Sequence, residues 1–360
     1  ARFRSSRFMR TAQPAVQKAG YLLNRSGNMI LLCDPQGLVI DQVSRGEREP
    51  SQEDPPVDPD ARPSDAKGTD AKGTEAKKVD GEESQRAIPV FTDVTVSAGI
   101  RFCHEAGSTG KFYYPEIMGA GCAFFDADGD GLLDVYLVNG NRIGDPSPSI
   151  TNKLFRNQGD GTFRDVTAEA GVGDPSYGQG CCTGDYDRDG DVDLYISNFG
   201  PNVLYRNDGK GKFTDVSHEA GVADPLWGQS SSFLDYDGDG WLDLYVQNYL
   251  TYSVERNVEA FIYLGRHKLR DYPAPSNFPG SPDKLYRNDG KGRFIDVTKD
   301  SGIWRPDGKG MGCACVDLND DRLVDIYVTN DGMENFLFWN RGGGKFEEAG
   351  LLACVSFDGS

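Results

Sequence analysis

A nine-residue acidic cluster recurs four times in this chain, each copy between a run of small residues and an apolar run. The copies are Asp126-Ala-Asp128-Gly-Asp130-Gly131-Leu-Leu-Asp134, Asp185-Tyr-Asp187-Arg-Asp189-Gly190-Asp191-Val-Asp193, Asp235-Tyr-Asp237-Gly-Asp239-Gly240-Trp-Leu-Asp243 and Asp317-Leu-Asn319-Asp-Asp321-Arg322-Leu-Val-Asp325. Positions 1, 3, 5 and 9 of each copy offer carboxylate or amide oxygens. So many anions in nine residues repel one another unless a hard cation sits among them, and calcium accepts roughly six to eight oxygens in flexible geometry. Glycine at position 6 (Gly131, Gly190, Gly240) permits the tight turn that aims the next carbonyl at such an ion.

The EF-hand shares this opening but needs a bidentate Glu at position 12 and a helix on each side. Position 12 here is Leu137, Ile196, Val246 or Val328, inside Val135-Tyr-Leu-Val138, Leu194-Tyr-Ile-Ser197, Leu244-Tyr-Val-Gln247 and Ile326-Tyr-Val-Thr329. Such β-branched and aromatic runs read as buried strands. The clusters are therefore loops between strands, with the position-9 Asp as last ligand. The fourth copy departs from the pattern: Asn319 replaces an Asp, and Arg322 stands where positive φ strains a side chain. Solvated acidic turns would account for one Asp-Gly turn, not for four copies in register.

The repeat is larger than the cluster. Seven residues before each stands Gly119, Gly178, Gly228 or Gly310. After the apolar strand comes Leu154-Phe-Arg-Asn157, Leu204-Tyr-Arg-Asn207, Leu285-Tyr-Arg-Asn288 or Leu337-Phe-Trp-Asn340, then a Gly-rich turn, then Phe163, Phe213, Phe294 or Phe346. The last strand reads Phe-x-Asp-Val-Thr/Ser in the first three units, which close at Gly171, Gly221 and Gly302. Units of four short strands repeated at about 40 to 50 residues predict an all-β fold, a β-propeller. A first strand of Gly, Ala, Ser and Cys suits the crowded innermost position.

Clusters follow one another after 59, 50 and 82 residues, so two units carry insertions. The smaller is Asn141 to Thr151. The larger, Tyr249 to Pro282, holds Arg256, Tyr263, Arg266, His267, Arg270, Tyr272 and Phe278 among Pro273, Pro275 and Pro279. It reads as a long irregular loop on a rigid scaffold, where binding residues tend to sit, and Tyr263, Arg266, His267, Arg270 and Tyr272 are its candidate ligand-binding residues.

These motifs together resemble the FG-GAP/VCBS repeat family, the calcium-loop propeller repeats also seen in the integrin α-subunit head. The order Phe-x-Asp-Val-Thr, Ala-Gly, Gly-x-Gly, acidic loop, Leu-Tyr-Arg-Asn is similar to the cartilage acidic protein and ASPIC/UnbV group, over roughly residues 89 to 352. The resemblance implies calcium ligands at Asp126, Asp128, Asp130 and Asp134 and their counterparts Asp185, Asp187, Asp189, Asp193, Asp235, Asp237, Asp239, Asp243, Asp317, Asn319, Asp321 and Asp325. It also implies a secreted or cell-surface protein used for binding or adhesion. Two departures limit it: that group has a further domain after the propeller, which this sequence does not reach, and the large insertion here has no Cys.

Phe91-Thr-Asp93-Val94-Thr95 has the outer-strand sequence with no blade ahead of it, while the fourth unit owns an outer strand at Lys345 to Glu348. In a ring closed by strand exchange, such an orphan completes a last blade. The expectation is four complete blades of a ring of roughly six to eight, cut at both ends, with a four-bladed ring as the alternative. Residues 44–88, with Asp65-Ala-Lys-Gly-Thr69 and Asp70-Ala-Lys-Gly-Thr74 amid Pro, Glu and Lys, read as a disordered linker. Residues 1–43 form a short β-rich fragment, with strands expected at Tyr21 to Asn24, Asn28 to Cys33 and Gly37 to Val43, weakly similar to the end of a lamin-tail-like module. The repeats occupy 89–360.

The formal charge is −18, and four divalent ions would leave −10, so much of the acidity is ligand. No basic stripe points to nucleic acid, and no apolar run is long enough to span a membrane. Loops of modest affinity belong where calcium is abundant, outside the cell or in the periplasm. Met29-Ile-Leu-Leu-Cys33 is too short, and Leu32 too bulky, for a lipoprotein cleavage site. Among eight cysteines, Cys122, Cys181 and Cys313 share one position, where the third unit has Ser231, which reads as a slot for a small buried thiol; a disulfide involving Cys103 or Cys354 stays open.

Catalysis would need a nucleophile, an acid–base pair or an open metal position. His104, His218 and His267 are scattered, and neither Gly-x-Ser-x-Gly nor His-Glu-x-x-His occurs. No catalytic residue is assigned. The expected function is a calcium-stabilised extracellular propeller that binds a protein or glycan through Tyr249 to Pro282. The alternatives are a polysaccharide-cleaving enzyme acting through the same insertion, or a spacer in a multidomain surface protein.

Overall fold

The computed structural model describes residues 92–264 and 266–356 and two short strands, β1 (Tyr21–Leu23) and β2 (Met29–Leu31). The chain divides into two units, one of Gly20–Val94 and one containing Thr95–Ser360. In the first, β1 and β2 pair antiparallel with Leu22 opposite Ile30. The strand expected at Gly37 to Val43 and the linker at 44–88 lie outside the described residues.

The second unit is built of four antiparallel four-stranded sheets, the blades of the propeller repeat. The first contains β3 (Cys122–Phe125), β4 (Asp134–Leu137), β5 (Lys153–Asn157) and β6 (Phe163–Asp165) in that spatial order. A helical turn, α1 (Thr167–Ala170), leads into the second: β7 (Gly178–Gly184), β8 (Asp193–Asn198), β9 (Gly200–Asn207) and β10 (Phe213–Asp215). After α2 (Ser217–Ala220), the third sheet begins with β11 (Gly228–Leu234) and β12 (Asp243–Asn248). The chain leaves it for a hairpin, β13 (Ala260–Leu264) and β14 (His267–Asp271), and returns as β15 (Lys284–Asn288) and β16 (Phe294–Asp296). The turn α3 (Thr298–Ser301) precedes β17 (Gly310–Val316), β18 (Asp325–Asn330), β19 (Phe336–Asn340) and β20 (Phe346–Glu348). All neighbours within a sheet are antiparallel, and all are consecutive in the chain except β12 and β15, which the β13–β14 hairpin separates.

Innermost strands of successive sheets lie side by side. Gly121 N–H donates to Gln179 O at 2.8 Å, and Ser230 Oγ is 3.7 Å from Cys313 Sγ. A Cβ on Gly178 would stand 2.3 Å from Val138 Cγ1, one on Gly228 2.9 Å from Ser197 Cβ and one on Gly310 2.2 Å from Gln247 Cγ, so in the second, third and fourth units this glycine is demanded by the preceding blade, whereas a Cβ on Gly119 would meet nothing within 4 Å. Cys122 is buried, and Cys181, Cys182, Cys313 and Cys315 are half-buried in the same layer; burial pushes the Cys122 and Cys182 thiols up to about 12. Every described cysteine is a free thiol, including the exposed Cys103 and Cys354.

The core lies between blades rather than beneath one sheet. Tyr136, Val138, Leu154, Leu194, Ile196 and Phe213 fill the first seam, Tyr195, Leu204, Leu244, Val246 and Phe294 the second, and Tyr245, Leu285, Ile326, Val328 and Phe336 the third. The second strand of each sheet is therefore apolar on both faces. Its Tyr hydroxyl still needs an acceptor: Tyr136 and Tyr195 donate to Val172 O and Val222 O, and Tyr245 to Asp283 Oδ2.

Three sequence expectations are corrected. Phe-x-Asp-Val-Thr is a strand only over Phe-x-Asp. In the first unit, Asp165 Oδ1 accepts both the N–H (2.9 Å) and the hydroxyl (2.6 Å) of Thr167, which bends the chain into α1, and Gly171 ends that turn at φ +77°. Thr92–Val94 is likewise not a strand, and the chain turns over Thr95–Gly99. This outer sequence forms a strand elsewhere only directly after a Leu-Tyr-Arg-Asn strand, which none precedes here; Phe91 lies outside the described residues. The large insertion, expected to be irregular, contains the regular five-pair hairpin β13–β14.

Candidate functional site

Each acidic cluster folds around its own backbone. Asp126 takes the N–H groups of Gly129 and Asp130 on Oδ1 (2.8 and 3.1 Å) and of Gly131 on Oδ2 (2.8 Å), and Asp185, Asp235 and Asp317 act alike. The turn needs positive φ at position 4 as well as position 6. Position 4 is Gly129, Arg188, Gly238 or Asp320 (φ 74°, 58°, 77°, 63°), and Arg322 at position 6 adopts the φ of 72° that its glycine counterparts hold freely.

The position-9 aspartates Asp134, Asp193, Asp243 and Asp325 are at most 1% exposed. Each gives one oxygen to the position-2 N–H and the other to the Asn N–H ending the third strand; for Asp134 these are Ala127 (3.0 Å) and Asn157 (2.8 Å). Burial, then the neighbouring carboxylates, pushes Asp134 up to about 6, Asp193 to about 8 and Asp243 to about 7, against the backbone hydrogen bonds that lower them; Asp325 is raised for the same reasons.

Oxygens of Asp126, Asp128 and Asp134 lie within 4.8 Å of one another, as do those of Asp185, Asp187 and Asp193 and those of Asp235, Asp237 and Asp239. Among the described residues no such carboxylate triple forms at Asp317, Asp321 and Asp325, where Asn319 takes the third place. Asp130 and Asp189, and Asp243, stand outside these triples. The Asp128 side chain is only 7% exposed, yet neither of its oxygens is in a hydrogen bond, and Asp187 Oδ1 is also buried and unbonded. Arg156 Nη2 is in ion-pair contact with Asp128 and lies 3.7 Å from Asp130. One guanidinium does not balance four carboxylates, so buried carboxylate oxygens without hydrogen bonds fit a metal ion, and an all-oxygen donor set fits a hard one. In the fourth loop the charge pair is lost on both sides: Asn319 faces a unit whose Arg is Trp339.

Sequence reasoning missed the asparagine of Leu-Tyr-Arg-Asn. Asn207 Nδ2 donates to Val192 O of its own loop (3.0 Å) and to Ala127 O of the preceding blade's loop (3.1 Å). Asn288 joins Leu242 O and Tyr186 O, and Asn340 joins Val324 O and Tyr236 O, in the same way. Both amide hydrogens are used, one on each side of a seam. Their recurrence at a fixed place was the readable signal.

The insertion docks on the segment before the first blade. Arg270 pairs with Glu259 at 2.7 Å and lies 5.6 Å over the Phe112 ring, Tyr272 packs 5.1 Å from that ring, and the Tyr272 hydroxyl donates to Glu116 Oε2 at 3.1 Å. Tyr263, Arg266 and His267 are exposed at the far end, so the five candidate ligand residues do not form one cluster. His267 pairs with Leu264 on one face, whereas Tyr263 pairs with Lys268 on the other. Beneath, Tyr114, Trp227, Tyr249 and Phe278 make an aromatic cluster, and Tyr249 donates to Asp331 Oδ2 at 2.5 Å. His218 is on α2, exposed, and apart from both sites.

Among the described residues no helix is long and apolar enough to cross a membrane. The chain is 51% identical to human cartilage acidic protein 1 and 45% to that of Xenopus tropicalis over 53 residues, which are 14% of this chain and 8% of those proteins. A solved structure on the specific recognition of non-reducing terminal N-acetylglucosamine by an Agrocybe aegerita lectin superposes with a TM-score of 0.33 and 20% identity. It covers 62% of this chain and 49% of that one, a likeness too loose to bear on fold or ligand. The pattern of the FG-GAP-like repeat matches residues 126–196 and 185–246, which span the first three acidic loops. Loop geometry, blade order and this match agree: the chain carries tandem FG-GAP-like repeats.

Proposed function

We propose that this protein is a calcium-stabilised, non-catalytic binding propeller of the extracellular space or cell surface, which holds a protein or glycan through the insertion from Tyr249 to Pro282. The observation that carries the metal assignment is the buried carboxylate of Asp128, without a hydrogen bond and met only by Arg156, beside Asp126 and Asp134, with the buried, unbonded Asp187 Oδ1 as its counterpart in the second loop. Calcium suits these sites because the donors are all oxygens on a loop pinned by its own backbone, and the loop carbonyls and water complete the shell. Asp126, Asp128, Asp130 and Asp134 and their second- and third-blade counterparts hold the ions; Asp317, Asn319, Asp321 and Asp325 form a weaker fourth site. The ion neutralises the loop and fixes the hairpin between inner strands, which is a structural role.

Elemental analysis and thermal melts with calcium or a chelator test this. The expected result is bound calcium and a melting temperature that falls by several degrees or more on chelation. No metal and no shift refutes the reading. Incubation with uronic-acid polysaccharides should yield no unsaturated products; calcium-dependent turnover lost in His267→Ala would replace the binding reading with an enzymatic one. Deleting the insertion without changing ligand binding would leave a spacer role.

A further inference from the structure

We propose that one face of the β13–β14 hairpin binds an anionic polysaccharide of the uronate class. This deepens the reading of the insertion as a binding element and rests on it. The ladder pairs Phe261 with Arg270 and Tyr263 with Lys268, and directly opposed residues share a face. That face is therefore aromatic and basic, whereas the opposite one carries Ile262, Leu264 and Leu269, with His267 at its turn end.

Glu259–Asp271 holds three cations, Arg266, Lys268 and Arg270, against two anions, Glu259 and Asp271, a local +1 in a chain of −18, and Glu259 is taken up by Arg270. Most of the chain thus repels a polyanion, and this hairpin attracts one. Lys268 lies 3.7 Å over the Phe261 ring, and Tyr263 beside it is 70% exposed. An exposed ring next to a cation suits a sugar acid: the apolar C–H face of the pyranose packs on the ring while its carboxylate meets the charge. Arg270 is held by Glu259, so Lys268, in no ion pair among the described residues, is the charge on this face that a uronate carboxylate meets, and a polymer offers it repeated carboxylates.

The face is also held in place before any ligand arrives. Phe112 beneath Arg270 sits at φ 59°, a costly conformation for an aromatic residue. Asn257 Nδ2 donates to its carbonyl at 3.2 Å, and Tyr272 packs against its ring. A platform fixed in this way loses less entropy on binding.

The test measures retention of the calcium-loaded full chain on immobilised hyaluronan, a uronate polymer, with dextran as the neutral control and dextran sulfate as the sulfated arm. The expected result is salt-sensitive binding to hyaluronan and none to dextran. Tyr263→Ser with Lys268→Gln should weaken it about tenfold or more, and Leu264→Ser on the opposite face should leave it unchanged. Retention on dextran sulfate but not hyaluronan overturns the uronate class. Equal binding by the double variant, or loss in Leu264→Ser alone, overturns the face. If hyaluronan is not bound while calcium still raises the melting temperature, the polysaccharide assignment fails and the calcium reading stands; the reverse pattern separates them the other way.

Discussion

Asp283 shows how one residue departs from a repeated solution. The N–H of the Asn at or just past the end of the second strand (Asn139, Asn198, Asn248, Asn330) is accepted by Asn152 Oδ1 in the first blade (2.7 Å), Asn202 in the second and Asn335 in the fourth (2.8 Å each), but by the carboxylate of Asp283 in the third (2.8 Å). Burial pushes Asp283 up to about 7, against the hydrogen bonds from Tyr245 and Asn248 that lower it. A carboxyl with a folded pKa above its unfolded value of 3.8 contributes fully when protonated, below about pH 4, and loses that contribution as the pH rises through 7. Asp283→Asn, which restores the residue used by the other blades, should match the parent at pH 4. It should exceed the parent at pH 8 by on the order of 2–4 kcal/mol. Chemical denaturation at both values checks this, and parallel pH profiles would show that Asp283 is not the cause.

At the scale of the element, the Asn at the end of each third strand makes a blade something other than an independent sheet. Asn207→Ala strands Ala127 O and Val192 O at the first seam, and a buried acceptor left unmade costs about 1–3 kcal/mol. The expected loss of about 2–5 kcal/mol in urea unfolding should come with weaker calcium binding at the loops on both sides of that seam. A loss below about 1 kcal/mol would mean the lock is decorative. This lock also marks what the sequence could and could not disclose. Loops and strand order were legible because four copies in register turn chance patterns into constraints. Asn207 and Ala127 are 80 residues apart, so their bond follows only from placing blades side by side. The turns α1–α3 were in reach, since Asp-x-Thr with Ala-Gly after it is a local hydrogen-bonding pattern. The hairpin was obscured by prolines around it, although Ala-Phe-Ile-Tyr-Leu is a strand-forming run. Arg270 on Phe112 joins segments 158 residues apart and had no local signal.

For the molecule as a whole, the formal charge of −18 sets a test of what the acidic loops are for. If the carboxylates are ligands, calcium-free protein holds several dense anionic loops whose repulsion opposes folding, and added salt relieves it by screening, with a Debye length of about 10 Å at 0.1 M. Calcium acts on the same repulsion by direct coordination. Raising sodium chloride from about 0.02 to 0.5 M, a range over which that length shrinks severalfold, should therefore raise the melting temperature by several degrees in chelator. In saturating calcium the same step should do much less, and the two ions' effects should not add. Melts across this grid separate ligand from surface charge: equal salt effects with and without calcium would place the destabilising repulsion on the general surface and leave the loops as solvated turns.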